Sequence, residues 1–141
     1  MEPTRRSRPG LDEQTLRLVT AALGGFHVIL GAWQLFAPGS FFEHVGRYGL
    51  ENTHYVGDVG SFTLAFGIVL LVAAGRRTWR GPILFLGAVW YGLHAFNHLF
   101  DIDENGISDA RGALDTILLA IGAGLLLWLS AVAERFREPV R

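Results

Sequence analysis

Between Ile117 and Leu129 the chain runs through thirteen residues without a charged side chain. Wound into a helix, that stretch has no polar face, and a soluble amphipathic helix needs one at a 3.6-residue period. The whole segment, residues 113–133, is long enough for the roughly 20 apolar residues that span a bilayer. Three other stretches share its character, at residues 16–37, 56–75 and 82–100. Charged residues make up 18% of the chain, against about 25% in ordinary soluble domains. Half of the residues are hydrophobic and the mean hydropathy is +0.32. The expected fold is all-α: a single four-helix transmembrane bundle in contact with the lipid bilayer.

The breaks between spans are short and polar. Residues 76–82, Arg-Arg-Thr-Trp-Arg-Gly-Pro, form a basic turn, and residues 101–106 form an acidic loop with an Asn-Gly turn signal. All twelve basic residues are Arg. Ten of them fall before or at the start of span 1, between spans 2 and 3, or after span 4; only Arg47 and Arg111 lie toward the opposite side. Short basic loops face the cytoplasm, so both termini are expected there, with 1–12 and 135–141 as flexible tails. The first apolar run is too long for the core of a signal peptide, and no small-residue cleavage site follows it, so it reads as a retained helix. Between spans 1 and 2, Phe41, Phe42, Val45 and Tyr48 sit at near-helical spacing, which suits a short helix in the membrane interface; a loop with an aromatic anchor fits as well.

The missing residue types remove whole chemistries. There is no Cys, which excludes disulfides, thiolate zinc sites, iron–sulfur clusters and thiol nucleophiles. The one Met is Met1, which excludes a Met-based copper site. A net charge of −1 gives no reason to expect nucleic acid as a partner. No phosphate loop, Gly-x-Ser-x-Gly elbow or HExxH motif occurs.

Ionisable groups at membrane depth are expensive, so those present point to a site. Span 3 carries Tyr91, His94, His98 and Asp101 at steps of three and four. Span 1 carries Thr20, Gly24, His27, Gly31 and Gln34 in the same pattern, and span 2 opens with His54, Asp58 and Ser61. Span 4 opens with Arg111 and Asp115. At about 1.5 Å of rise per residue, His27 lies about 16 Å and His94 about 18 Å from the cytoplasmic starts of their spans. The polar residues therefore converge in the outer half. A site open to the outer face is expected, and a channel or transporter is not.

The sharpest pattern is two i,i+4 pairs, His54/Asp58 and His94/His98, both at outer ends. If spans 2 and 3 form an antiparallel hairpin, Asp58 lies level with His94 and His54 with His98. Three imidazoles and a carboxylate suit Zn, Fe, Mn or Cu as the divalent ion. Asn52, Asn97, Asp101 and Asp115 would orient the imidazoles. His27 and Tyr91 would bind a cofactor: His27 and His94 have the matched depth that haem b requires, and a quinone would use the same polar residues with Trp33, Trp90 and Tyr91. The same His and Asn residues can instead be interhelical hydrogen-bond partners, and Asp115 can pair with Arg111.

Asn52-Thr53-His54-Tyr55-Val56-Gly57-Asp58-Val59-Gly60 resembles an N-x-H-[FY]-V-x-D-x-G signature that opens the second helix in a family of small bacterial four-helix membrane proteins. The plan also resembles DoxX-like proteins, more loosely. The resemblance covers about a dozen motif residues and implies no activity. It implies that Asn52, His54 and Asp58 belong together. Gly57 stands where the pattern leads one to expect Arg, which would leave Asp58 open to another partner.

The leading expectation is a multi-pass protein of the bacterial inner (plasma) membrane, with an outward-facing His/Asp cluster that binds a divalent metal or redox cofactor. The alternative is a non-enzymatic accessory or scaffold subunit whose polar residues hold helices, a membrane-protein partner or a second copy in a homo-oligomer.

Overall fold

The computed structural model describes residues 11–46, 49–101 and 109–137; the side chains of Asp101, Asp109 and Arg111 lie outside this description. Five helices follow in order: α1 Glu13–Phe36, α2 Pro38–His44, α3 Thr53–Ala74, α4 Arg77–Asp101 and α5 Asp109–Glu134. Among the described residues there is no strand. All but α2 are long and apolar enough to cross a membrane. Their outward faces carry large exposed hydrophobic side chains, such as Ile29, Leu93, Ile121 and Leu127, in an amount that water would not tolerate. This is the architecture of a multi-pass membrane protein with lipid on its outer faces.

Local signals set the helix ends. Asp12 caps α1 by accepting a hydrogen bond from the Thr15 backbone N–H at 2.8 Å. Asn52 does the same for α3, accepting from the Tyr55 N–H at 3.0 Å, so α3 begins three residues earlier than the apolar run alone implied. The expected basic turn over 76–82 shrinks to Gly75 and Arg76, because Arg77 to Gly81 form the first turns of α4. Pro82 sits just beyond, near the helix start, where the missing N–H costs one intrahelical bond. The short helix expected between spans 1 and 2 is present as α2, with Pro38 at its first position. Its buried Phe41 meets the Trp33 ring edge-on at 5.4 Å.

The helices associate as two antiparallel pairs. α1 packs closely along α3 and α4 along α5, while the two pairs meet much more sparsely. The α1–α3 seam is built on glycines seven residues apart on both helices: Gly24 and Gly31 face α3, and Gly60 and Gly67 face α1. A Cβ on Gly60 would lie 2.7 Å from Gln34 Cβ, and one on Gly67 would lie 2.8 Å from the His27 carbonyl carbon. The two backbones are thus in contact, and in lipid it is such packing that holds helices together. The α4–α5 pair buries Leu84, Ala88, Leu126, Leu129 and Val132, and joins Leu16, Phe66 and Leu70 of the other pair in one core.

The start of α1 and the end of α5 lie at one end of the bundle, here the basal end. There Glu13 accepts two hydrogen bonds from Arg77, at 3.0 and 2.6 Å, and one from Arg80 at 3.2 Å. Arg80 is 2% exposed and also donates to the backbone carbonyls of Ala73 and Ala74. It caps the C-terminus of α3 and ties α1, α3 and α4 together. Ser130 on α5 donates to the Gly81 carbonyl of α4 at 2.9 Å. The apolar inner half expected from sequence thus closes on a charged clasp.

Candidate functional site: a polar-ended cavity between the helix pairs

Away from the clasp the two pairs leave a cavity of about 670 Å³. Phe26, Leu30 and Gln34 of α1 line it, with Phe41, Phe42 and His44 of α2. Val56 and Val59 of α3 and Leu118 and Leu119 of α5 add apolar wall. Tyr91, His94, Asn97 and His98 come from α4, and Asp115 comes from α5. Exposed Leu50, Asn52 and Tyr55 stand on its rim at the distal end. A mostly apolar wall with a few convergent polar groups, at this volume, is the usual make-up of a small-molecule site.

The expected ligand set divides. His94 and His98 lie one turn apart with their Nε2 atoms at 3.2 Å, His98 buried and His94 exposed. The two nitrogens are within hydrogen-bond distance, and the ring tautomers decide which one donates. His54 and Asp58 form their own pair, with Nε2 3.6 Å from the carboxylate, on the outer surface of α3. Their side chains are 90% and 67% exposed. Asp58 faces a shallow groove with Val59, Phe62 and Trp90, outside the cavity. Among the described residues no group of three or more His, Asp or Glu side chains could hold a metal ion. The four-ligand set expected from the hairpin geometry is therefore not assembled. The reason is the pairing of the helices: α3 gives its glycine face to α1, and it meets α4 only sparsely.

The residues expected to orient the imidazoles also divide. Asn97 and Asp115 line the cavity beside the histidine pair. Asn52 serves as the α3 cap and reaches the rim. The Asp101 side chain lies outside the described residues. Asn52 caps the first turn of α3, and His54 and Asp58 pair across that turn.

His27 and Tyr91, expected at a cofactor, meet each other. His27 is 1% exposed, with Nδ1 2.8 Å from the Leu23 carbonyl and Nε2 2.9 Å from the Tyr91 hydroxyl. A carbonyl only accepts, so Nδ1 carries the proton and Nε2 is bare. Tyr91 O–H therefore donates to His27 Nε2, which ties α1 to α4. Both imidazole nitrogens are used, so His27 has none left for haem iron in this arrangement. Phe66 and Trp90 pack around the ring, at centroid distances of 5.0 and 6.0 Å. Tyr91 keeps a second role in the cavity wall.

Gln34 was legible only as part of the polar stripe on span 1. It is 7% exposed and lines the cavity, and its Oε1 has no hydrogen-bond partner among the described residues. The signal for it was its position seven residues, two turns, after His27. Other polar side chains at membrane depth satisfy themselves locally: Thr20, Thr63 and Thr116 each donate to the carbonyl four residues back.

Comparison with family models, with curated proteins and with solved structures finds no match for this chain.

Proposed function

We propose that this is a membrane protein that binds a small amphipathic molecule in the cavity between its two helix pairs. The basal end, with ten of the twelve Arg residues in its segments, would face the cytoplasm, so the cavity would open on the outer side. The observation that carries the reading is the cavity itself: about 670 Å³, apolar along Leu30, Val59, Leu118 and Leu119, and polar where Gln34, Asn97, His98 and Asp115 reach it. The test is photolabelling in nanodiscs with a neutral 12-carbon alcohol carrying a chain diazirine. Saturable adducts on cavity residues, mapped by mass spectrometry, support the reading. Adducts that do not saturate and fall on lipid-facing Leu125, Leu127 and Trp128 refute it.

A second reading is favoured by the histidine pair alone. Two imidazoles on one tetrahedral ion, with metal–nitrogen bonds of about 2.0–2.1 Å, have their nitrogens roughly 3.3 Å apart. The 3.2 Å between His94 and His98 Nε2 matches that spacing. In this reading a divalent ion takes two protein nitrogens at the cavity mouth and completes its shell with a carboxylate or water. Metal analysis after purification without metal-affinity resin tests it. About one equivalent, lost in His94→Ala/His98→Ala, supports it; a metal-free protein after exposure to Zn²⁺, Fe²⁺, Mn²⁺ and Cu²⁺ refutes it. If both tests fail, the polar residues serve only to hold helices or a partner.

A further inference from the structure

The cavity has a floor, a polar end and an open side. Its floor is the His27–Tyr91 hydrogen bond, and below that the two helix pairs close into one core. Its polar groups stand near the distal ends of the helices. At about 1.5 Å per residue, Gln34 lies about 3 Å, Asn97 about 6 Å and Asp115 about 9 Å from the ends at Phe36, Asp101 and Asp109. The open side lies deeper, between α1 and α5. Among the described residues these two helices scarcely touch, because α1 gives its glycine face to α3 and α5 packs on α4. Phe26 of α1 and Leu118 of α5 line the cavity and are still 53% and 56% exposed. By the same rise, Phe26 lies about 15 Å and Leu118 about 14 Å from the distal helix ends, half the depth of a hydrocarbon core of about 30 Å.

We infer that the gap between α1 and α5 is a lateral opening, and that the occupant is a lipid of the distal leaflet whose tail leaves through it into the bilayer. The levels match a lipid in place. Its head lies at the polar end, near the interface, and its tail points at the midplane, where Phe26 and Leu118 stand apart. Apolar Leu30 lines the wall between the two levels. Methylenes beyond the gap pass from lipid to lipid, so no apolar surface is added to or removed from water as the tail grows. The site therefore holds the upper part of the lipid and does not measure its tail. This assignment rests on the cavity being a ligand site.

The test is competition against the neutral photoprobe in nanodiscs, at matched membrane mole fractions. The competitors are octanol, dodecanol, eicosanol and dioleoylglycerol, which share a hydroxyl head and differ in tail length and number. With the side open, all four are expected to displace the probe at mole fractions within about threefold of one another, since the added methylenes stay in lipid. A closed cavity would have to take the excess methylenes into a filled space, which is unfavourable. A loss of competition that grows with tail length beyond that range, with the probe still saturable, overturns the lateral opening and leaves the cavity reading standing. Leu118→Trp narrows the gap and is expected to weaken dioleoylglycerol, with its two chains, more than octanol. Equal competition by the two in that variant overturns the opening between α1 and α5. No saturable labelling by the probe overturns both readings.

Discussion

The glycine seam gives the most stringent check on how the helices pair. Gly24 and Gly31 on α1 and Gly60 and Gly67 on α3 leave no room for a methyl group. A Cβ on Gly24 would lie 2.9 Å from the Leu71 nitrogen, on Gly60 2.7 Å from the Leu35 nitrogen, and on Gly67 2.8 Å from the His27 carbonyl carbon. These neighbours are backbone atoms and cannot rotate aside. Ordinary contact needs at least 3.4 Å, so the helices must move apart by more than half an ångström and break contacts along the whole seam. Overpacking of this kind costs about 1–3 kcal/mol per site. Gly→Ala in an open helical position works the other way, by about 0.5–1 kcal/mol in favour of Ala. Gly25, Gly57 and Gly124 are such positions, with nothing within 4 Å of the added Cβ. Six single Gly→Ala variants, three from each class, are therefore expected to separate by sign in reversible unfolding in mixed micelles. Gly24→Ala, Gly60→Ala and Gly67→Ala should lower the stability, while Gly25→Ala, Gly57→Ala and Gly124→Ala should leave it unchanged or raised. If the two classes overlap, α1 and α3 do not pair through this face.

Other consequences can be read on the same assay. Tyr91→Phe leaves the bare Nε2 of His27 buried without a donor and should cost about 1–2 kcal/mol. The loss should be much smaller in a His27→Leu background, and additive losses would contradict the bond. Arg80→Ala strands the carbonyls of Ala73 and Ala74 and should cost about 2–3 kcal/mol, while Arg76→Ala, exposed at the turn, should cost far less. Equal effects would remove Arg80 from the clasp. His54→Ala and Asp58→Asn remove a pair that stands in solvent, so the unfolding transition should stay where it is. A large loss in either would mean that this pair has a partner elsewhere.

The sequence carried the four spans because hydropathy depends on composition over a window, and no rotation angle enters. The polar faces of spans 1 and 3 were equally legible, since His27 with Gln34 and His94 with His98 repeat at helical steps. What failed was the partner each face was given. A hairpin of adjacent spans would place Asp58 level with His94, but α3 and α4 meet only sparsely. The period-seven glycines instead commit α3 to α1. The start of α3 at Thr53 does keep His54 and Asp58 one turn apart on one face, but that face is exposed. The clasp stayed hidden for another reason. Glu13 and Arg80 are 67 residues apart, and no local period joins them. Gln34 became a candidate only when its surroundings showed its oxygen to be without a donor.

The proposed function requires water and small solutes to reach between the helix pairs at the end opposite the start of α1 and the end of α5. The chain has no cysteine, so single Cys variants carry unambiguous labels. Leu119 lines the cavity, whereas Ile121, two residues on, is 62% exposed on the outer face of the bundle. Thiols react as thiolates, which form in water and not in hydrocarbon. In sealed vesicles, a charged, membrane-impermeant thiosulfonate should modify Leu119→Cys and spare Ile121→Cys. Equal protection of both thiols, or modification of Ile121→Cys alone, would mean that no water-accessible cavity separates the two pairs.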